Sequence, residues 1–157
     1  MLSPTDVHQE KMEYKNKITT SANKKDSFYA IANKVDKWWG KTDNSISKIG
    51  DEFSIFFGDT EWKFKIKEYL PYEKITWLCI KANHIHGKLA DIEKEWLNSE
   101  LLWNIKDDNG KTEISFIHKG LTPDLNCYEV CEAGWDFFIS TSLKNYLESG
   151  EGNPHFE

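Results

Sequence analysis

The sequence predicts an α+β domain in which one long C-terminal helix packs across a mainly antiparallel sheet. Apolar and polar residues alternate, as in strands, through most of the chain between positions 52 and 119, and only two segments have helical spacing. The second helical segment, residues 124–148, carries aromatic residues on one face and is followed by Gly150, Gly152 and Pro154, which are typical of a helix stop. A sheet covered by such a helix predicts a pocket between the sheet and the helix.

Composition fits a single globular domain and excludes several classes of function. The chain has 157 residues, of which 39% are hydrophobic and 29% charged, as expected for one domain with a substantial core. A formal net charge of −6 argues against nucleic acid, since neutralising phosphates requires a clustered basic face. Apolar runs are too short for a membrane span and the first residues are polar, so we expect a cytoplasmic protein.

Aromatic residues and cysteines are the two informative parts of the composition. Seven Trp, six Tyr and nine Phe supply large, stiff side chains that fill cores and also line cavities. The three cysteines, Cys79, Cys127 and Cys131, are an odd number without a repeating spacing, and we expect them to be reduced thiols. Cys127 and Cys131 lie four residues apart, on one face of the predicted helix.

The first predicted elements are a strand and a helical region. Residues 12–20 alternate as a strand. A helix then begins at Ser21 or Asn23, and its apolar residues recur at three- and four-residue spacing as far as the tryptophan pair 38–39. Gly40 ends this region.

The middle of the chain predicts a hairpin, a further strand and a loop. Residues 52–57 and 61–70 form the hairpin around the turn 58–60. The strand of residues 73–82 is apolar on both faces, which favours a central or covered position. Residues 83–97 combine weak helical spacing with dense charge, and we predict a surface loop there.

The last predicted elements are a second hairpin and the long helix. Residues 98–119 form two antiparallel strands that turn at Asp108-Asn109-Gly110. The sheet stops after Gly120, and the helix of residues 124–148 follows, with Gly150 as its C-terminal cap.

Several of these segments together resemble a known family. In chain order they are Trp38-Trp39-Gly40, Gly50-Asp51-Glu52-Phe53, Ile75-Thr76-Trp77, the strand pair ending in His118-Lys119-Gly120, and the run from Gly134-Trp135 to Pro154. Their order and spacing resemble homologues of the C-terminal domain of the heat-shock-protein-90 ATPase activator, in the START-like, Bet v 1-like (SRPBCC) superfamily. The resemblance implies a helix-grip fold: a curved antiparallel sheet of six to seven strands wrapped around the long C-terminal helix, with one or two short helices after strand 1.

The resemblance also implies domain limits and a broad class of function. It spans a single START-like domain at residues 12–154, with an N-terminal extension at 1–11 and a C-terminal tail at 155–157. The superfamily includes lipid and hormone carriers, cyclases, oxygenase domains and co-chaperone domains, so the fold alone does not select a function. Residues 84–97 depart from the short connection expected in the family.

The predicted cavity lining comes from strand alternation and from the inner face of the C-terminal helix. Its members are Trp38, Trp39, Phe53, Ile55, Phe64, Ile66, Trp77, Trp103, Ile105, Phe116, His118, Trp135, Phe138 and Ser142. Two interpretations of this set are open: a void of roughly a few hundred Å³ that takes a ligand, or a filled core.

Two polar residues in these rows are candidates for acid–base catalysis. Glu68 continues the phase of the row Trp62, Phe64 and Ile66, and His118 ends the row that contains Phe116. A carboxyl in an apolar pocket has its charged form disfavoured, and a neutral histidine exchanges a proton near pH 7. The alternative for both residues is a structural role with satisfied hydrogen bonds.

A metal site is weakly suggested by His84-x-His86, because alternating residues of an extended segment point to the same side, and Asp91 is nearby. Two ligands do not make a site, so we predict neither a metal nor a cofactor.

Three hypotheses of function follow. The first is a binding module for a small apolar or amphipathic molecule, held between sheet and helix. The second is a protein-interaction module that contacts a chaperone or a second copy through an exposed Trp96-Leu97 beside Glu93 and Glu95. The third is a cavity enzyme of cyclase or hydrolase type that uses Glu68 or His118.

Overall fold

The computed structural model describes residues 13–155, so the predicted extension 1–11 lies outside the described residues. Seven antiparallel strands in this part of the chain form one curled sheet, in the order β1-β7-β6-β5-β4-β3-β2. The strands are β1 (Tyr14–Thr20), β2 (Lys41–Thr42), β3 (Glu52–Phe57), β4 (Thr60–Leu70), β5 (Lys74–Asn83), β6 (Glu100–Asp108) and β7 (Lys111–Lys119). The helices are α1 (Lys24–Ala32), α2 (Val35–Trp38), α3 (Tyr128–Phe137), a π-helical segment (Phe138–Leu143) and α4 (Lys144–Ser149).

The curled sheet wraps around the helical run from α3 to α4, which confirms the predicted helix-grip class. Buried residues alternate along β4 and β7, as expected for strands with one face on the core. From the helical run, Trp135, Ile139 and Leu143 enter the same core, each at most 2% exposed. Burial of these aromatic and aliphatic side chains is the main stabilising contribution to the fold.

The first helical region is divided into two short helices. Asn23 caps α1, and its side chain accepts a hydrogen bond from the amide of Asp26 at 2.7 Å. The chain turns after Ala32, and the indole Nε1 of Trp38 donates to the carbonyl oxygen of Ala30 at 2.8 Å. That bond satisfies a carbonyl near the end of α1 and fixes α2 against it.

The C-terminal helix begins later than predicted and is not regular throughout. Residues 124–127 form turns before α3, and the carboxylate of Glu95 accepts hydrogen bonds from the amides of Asn126 and Cys127 at 2.8 and 2.9 Å. These bonds satisfy amide groups at the helix start, and they tie the loop 84–97 to it. Gly150, at φ +86°, is the left-handed cap, as predicted. Among the helices of residues 13–155, none is long and apolar enough to cross a membrane.

An irregularity in the sheet changes the side on which Glu68 lies. Ile66 pairs with Trp77, but Glu68 pairs with Thr76, so Lys67 is an extra residue in β4. The inner row therefore continues at Tyr69, whose ring packs on Phe28 at 5.2 Å, and Glu68 is exposed. Strict alternation predicted Glu68 in the inner row, and the bulge makes that prediction wrong.

The chain after α4 is closed onto the start of the domain. His155 forms a parallel bridge with Gly40, and its amide donates to the carbonyl of Trp39 at 2.9 Å. Ser142 links the π-helical segment to α2 and to the chain end. Its hydroxyl donates to the carbonyl of Trp38 and accepts from the amide of Asn153, both at 2.6 Å. His155, assigned to the tail from sequence, thus pairs within the fold.

The loop 84–97 has neither helix nor regular strand, as predicted, but it is anchored in the core. Ile92 is fully buried and Trp96 is 3% exposed, while Leu97 is 38% exposed. The expectation of an exposed Trp96 is therefore wrong, whereas Leu97 is exposed as expected. The helical spacing of Ile92 and Trp96 belongs to two residues that face the core from an irregular segment.

Candidate functional site

An open pocket of about 620 Å³ lies at one end of the sheet, between α3 and the loop 84–97. Residues of the β3–β4 hairpin, the loop, α3 and the chain end form its walls. They are Trp39, Phe57, Thr60, Trp62, His84, Ile85, His86, Gly87, Trp96, Val130, Cys131, Ala133, Gly134, Trp135, Phe138 and His155. The lining is predominantly aromatic and apolar, with histidines as its main ionisable groups.

Stacked indole rings form part of the pocket wall. Trp62 and Trp96 stack with ring centroids 4.0 Å apart, and Trp96 is parallel to Trp135 at 5.8 Å. Trp39 lies against Trp135 at 4.7 Å. Stacked and tilted rings of this kind make a stiff surface, because each ring is held by its neighbours.

All seven tryptophans of the chain belong to one buried group, the tryptophan cluster. Its members are Trp38, Trp39, Trp62, Trp77, Trp96, Trp103 and Trp135. Trp39 contacts five of the others, and Trp103 joins through Trp38, Trp77 and Trp135. The cluster therefore runs from the filled centre of the core to the open pocket.

Two buried nitrogens on the pocket wall lack hydrogen-bond partners among the described residues. They are the indole Nε1 of Trp62 and the Nδ1 of His84. Leaving a buried polar group unpaired costs roughly 1–3 kcal/mol. The indoles of Trp77 and Trp103 are unpaired as well, but they lie in the filled core rather than on the wall.

The structure divides the predicted lining residues into two groups. Trp39, Trp135 and Phe138 line the pocket. The remaining eleven lie in the filled core, each at most 3% exposed: Trp38, Phe53, Ile55, Phe64, Ile66, Trp77, Trp103, Ile105, Phe116, His118 and Ser142. Large aromatic side chains fill the centre between sheet and helix in the part of the chain that the structure describes, and the pocket lies at one end.

Sequence reasoning missed most of the pocket wall because the loop 84–97 supplies much of it. Residues 84–87 had no readable periodicity, and the helix residues Val130, Ala133 and Gly134 were not in the predicted lining. A signal was present in Ala133-Gly134, where two small residues leave room beside an otherwise aromatic helix.

His118 is a structural histidine in the core. The indole Nε1 of Trp135 donates to its Nδ1 at 3.1 Å, so the ring proton is on Nε2, which lies 2.9 Å from the hydroxyl of Ser99. That hydroxyl donates in turn to the carbonyl of Trp96 at 2.6 Å. Burial lowers the pKa of His118 to about 3, so the ring stays neutral and links β7, α3 and the loop.

The neutral state of His118 predicts that acid destabilises the fold. In the unfolded chain the pKa is near 6.5, so between about pH 6.5 and pH 3 the unfolded state alone binds the proton and stability falls as pH falls. His118 alone contributes about 1.4 kcal/mol per pH unit in that window. We expect the free energy of unfolding, measured by urea denaturation, to fall between pH 7 and pH 5 by about 2 kcal/mol more in the unmodified protein than in His118→Gln. Equal decreases in both proteins would contradict this protonation state.

Glu68 lies away from the pocket. Its carboxylate accepts from the hydroxyl of Thr76 at 2.9 Å and pairs with Lys74 at 3.3 Å, and these contacts lower its pKa. The structure therefore places neither catalytic candidate on the pocket wall.

Three side chains that could hold a metal meet beside the pocket. One ligand atom each from His84, Cys127 and Cys131 lies within 4.8 Å of the others, and all three residues are buried. The thiol of Cys131 donates to Sγ of Cys127 at 2.9 Å, and the indole of Trp96 donates to Sγ of Cys131 at 3.3 Å. The hydrogen bond from Cys131, together with burial, holds the pKa of Cys127 far above its usual range.

This cluster differs from the metal pair suggested by sequence. His86 and Asp91, the expected companions of His84, are exposed, and the rings of His84 and His86 are 6.5 Å apart. Cys127 is the residue before α3 and Cys131 lies in α3, about forty positions after His84 in the chain. The sequence spacing places the two cysteines on one helix face, but only the tertiary fold brings His84 beside them.

Comparisons with known proteins show the fold. No protein-family model matches the chain, and none of the curated proteins searched does. The solution structure of the Aha1 dimer from Colwellia psychrerythraea matches with a TM-score of 0.69 at 21% identity, covering 89% of this chain and 98% of that one. Protein SSP2350 from Staphylococcus saprophyticus matches at 0.68 with 16% identity, covering 92% and 98%.

DynU16, a protein of the dynemicin biosynthetic locus, matches with a TM-score of 0.68 at 15% identity. The match covers 91% of this chain and 50% of DynU16. The TM-scores establish a shared helix-grip, START/Bet v 1-like fold, whereas identities this low leave the function to be argued from the site.

Proposed function

We propose that this protein binds a small apolar or amphipathic molecule in the pocket between α3 and the loop 84–97. The observation that carries the proposal is the pocket itself, at about 620 Å³ and lined mainly by aromatic and apolar side chains. Pockets for small molecules typically have about 300–1,000 Å³ and mostly apolar walls with few polar groups. The stiff indole wall supports the same conclusion, because a preformed surface needs little ordering when a guest binds.

The wall also indicates the chemistry of the guest. Trp62, Trp96 and Trp135 are stacked on one another, so this side of the pocket is stiff and rich in π-electrons, which favours an aromatic guest over a saturated one. The indole N–H of Trp62 has no partner among the described residues but is itself enclosed, so an acceptor on the guest reaches it only when neighbouring side chains move. We therefore expect aromatic polyketide-like acids to bind more tightly than saturated fatty acids of similar size.

Binding is tested by thermal unfolding in the presence of fatty acids, sterols, aromatic polyketides and haem-like compounds. A ligand that binds only the folded state stabilises it by about 2.7 kcal/mol at a concentration of 100 times its Kd. The expected result is a concentration-dependent rise in Tm, with quenching of tryptophan fluorescence by the guest beside the indole wall.

A pocket-filling variant makes the test specific. Ala133 is exposed at the pocket wall, so Ala133→Trp places a bulky ring in the opening without removing a core contact. Glu129→Trp adds the same ring one turn earlier, at an exposed helix position outside the wall. We expect Ala133→Trp to weaken binding at least about tenfold and Glu129→Trp to leave it unchanged. An absence of binding across the panel, or equal binding by both variants, would sink the proposal.

Self-association and a reducing location are further parts of the proposal. The Aha1 structure that shares this fold is a dimer, which supports a dimer here. Sedimentation at increasing protein concentration tests it, and a constant monomer mass contradicts it.

The free, buried cysteines support a reducing, cytoplasmic location. A chaperone partner, the alternative function, is tested with the same preparation by pull-down with heat-shock protein 90.

A further inference from the structure

We propose that His84, Cys127 and Cys131 form a binding site for one thiophilic metal ion, of the zinc or copper(I) type. The three ligand atoms lie within 4.8 Å of one another in a buried location. Two sulfurs and one imidazole nitrogen are the donor set that such ions prefer, whereas calcium and magnesium require oxygen ligands. This site does not depend on the identity of any molecule in the pocket.

The backbone around the cluster is fixed by contacts from separate elements. His84 directly follows β5, and its amide donates to the carbonyl of Glu93 at 3.1 Å. Cys127 is the residue before α3, where its amide is held by the carboxylate of Glu95 at 2.9 Å. Cys131 is one turn further along α3, and its amide donates to the carbonyl of Cys127 at 2.8 Å. The ligands are thus brought together by a preorganised framework.

The geometry requires only a small opening of the two sulfurs. Zinc–sulfur bonds of about 2.3 Å at a tetrahedral angle place two sulfur ligands about 3.8 Å apart. The sulfurs of Cys127 and Cys131 are 2.9 Å apart as a hydrogen-bonded thiol pair, a separation that side-chain rotation can increase. Each thiol loses its proton to solvent when the metal–sulfur bond forms, so a divalent ion that takes both sulfurs releases two protons.

Two independent observations point to a ligand at this cluster. His84 is 5% exposed, and its Nδ1 is buried without a hydrogen-bond partner among the described residues. The indole of Trp96 donates to Sγ of Cys131 at 3.3 Å, an arrangement that stabilises a metal-bound thiolate. A cluster serving only as packing would leave the imidazole nitrogen as an uncompensated cost.

The pocket provides access and a fourth coordination position. His84 and Cys131 are both part of the pocket wall, so an ion can reach the cluster without unfolding the domain. With three protein ligands, the remaining tetrahedral position faces the pocket for water or a small molecule, as in zinc sites that act on substrates. The structure thus assigns an open site rather than a closed structural one.

The test is a titration of the full-length protein with Co²⁺ after treatment with a chelator and a phosphine reductant. Cobalt(II) is a spectroscopic substitute for zinc that reports thiolate ligands through sulfur-to-metal charge-transfer absorption and tetrahedral geometry through intense visible bands. We expect saturation at one equivalent, release of two protons in a weakly buffered indicator solution, and loss of the absorption when Zn²⁺ displaces the cobalt.

Matched variants distinguish this site from unspecific binding. Cys127→Ser, Cys131→Ser and His84→Ala remove a proposed ligand each, and we expect at least about 100-fold weaker Co²⁺ binding for each one. Cys79→Ser alters the third buried thiol, which lies outside the cluster, and this variant should bind as the unmodified protein does. Circular dichroism establishes that every variant folds.

Several results would overturn the proposal. They are the absence of charge-transfer absorption, retention of that absorption in both Cys127→Ser and Cys131→Ser, or an equal loss in Cys79→Ser. Because the cobalt spectrum is recorded without any hydrophobic ligand, failure of the small-molecule proposal leaves this readout unaffected, and the converse also holds.

Discussion

Trp135→Ala is expected to lower the free energy of unfolding by about 3–5 kcal/mol, the range for removing a large aromatic side chain from a core. Trp135 is 2% exposed and packs on Phe116 and Trp39, with ring centroids 4.6 and 4.7 Å away. The substitution also removes the N–H donor to His118 and leaves a buried ring nitrogen unpaired. Urea denaturation followed by far-ultraviolet circular dichroism measures the effect without relying on the deleted fluorophore.

Two further substitutions separate the contributions to this loss. Trp135→Phe keeps most of the ring volume and deletes the N–H donor, so we expect roughly 1–3 kcal/mol, from the unpaired histidine nitrogen. Phe137→Ala removes an aromatic ring two residues later in α3, where the side chain is 45% exposed, and should change stability by less than about 1 kcal/mol. A loss below about 1 kcal/mol in Trp135→Ala would mean that the helix does not hold this ring in the core.

Gly152→Ala is expected to destabilise the protein by about 2–3 kcal/mol, in the upper part of the range for overpacking. A Cβ at this position would lie 2.4 Å from the carbonyl oxygen of Lys37 and 3.1 Å from Cα of Trp38. Both obstacles are backbone atoms, so a change of side-chain rotamer cannot relieve the clash. The chain end would have to withdraw, which breaks the hydrogen bond from Asn153 to Ser142.

Gly134→Ala provides the control of opposite sign. An added Cβ there meets no atom within 4 Å, and Gly134 is inside α3. Replacing a helical glycine by alanine stabilises by up to about 1 kcal/mol. Chemical denaturation of both variants under one condition tests the contrast. Equal effects would show that the close approach at Gly152 is not a constraint on the fold.

The fold was largely predictable because its strands have one face on the core. The hairpins around positions 58–60 and 108–110 followed from strict alternation and turn residues, and their strands begin and end within one or two residues of the predicted ones, whereas the short β2 was not predicted. Gly150 was predictable as a cap for a similar local reason, since a left-handed residue ends many helices. Each of these features is determined by neighbours in the chain.

The site was less predictable because it is made by contacts between distant segments. The extra residue Lys67 in β4 leaves no mark in the sequence, yet it decides that Glu68 faces solvent. Trp96 belongs to a charged segment, and only the completed fold shows that its ring stacks on Trp62. The same holds for His84 and the two cysteines of the cluster. The size of side chains in the centre, rather than their phase, decided where open space remained.

The closure of the chain end onto Gly40 has a consequence for biosynthesis. β1 pairs with β7, about 100 residues later, and residues after α4 contact the chain beside α2. Synthesis runs from the N-terminus, so β1 cannot pair until β7 has left the ribosome, and the bridge to Gly40 cannot form until residue 155 has left it. During that interval the aromatic inner face of the sheet has no helix to cover it. A nascent chain with this fold therefore exposes that aromatic face until the helical run from α3 to α4 has emerged, and it is prone to aggregate in the interval.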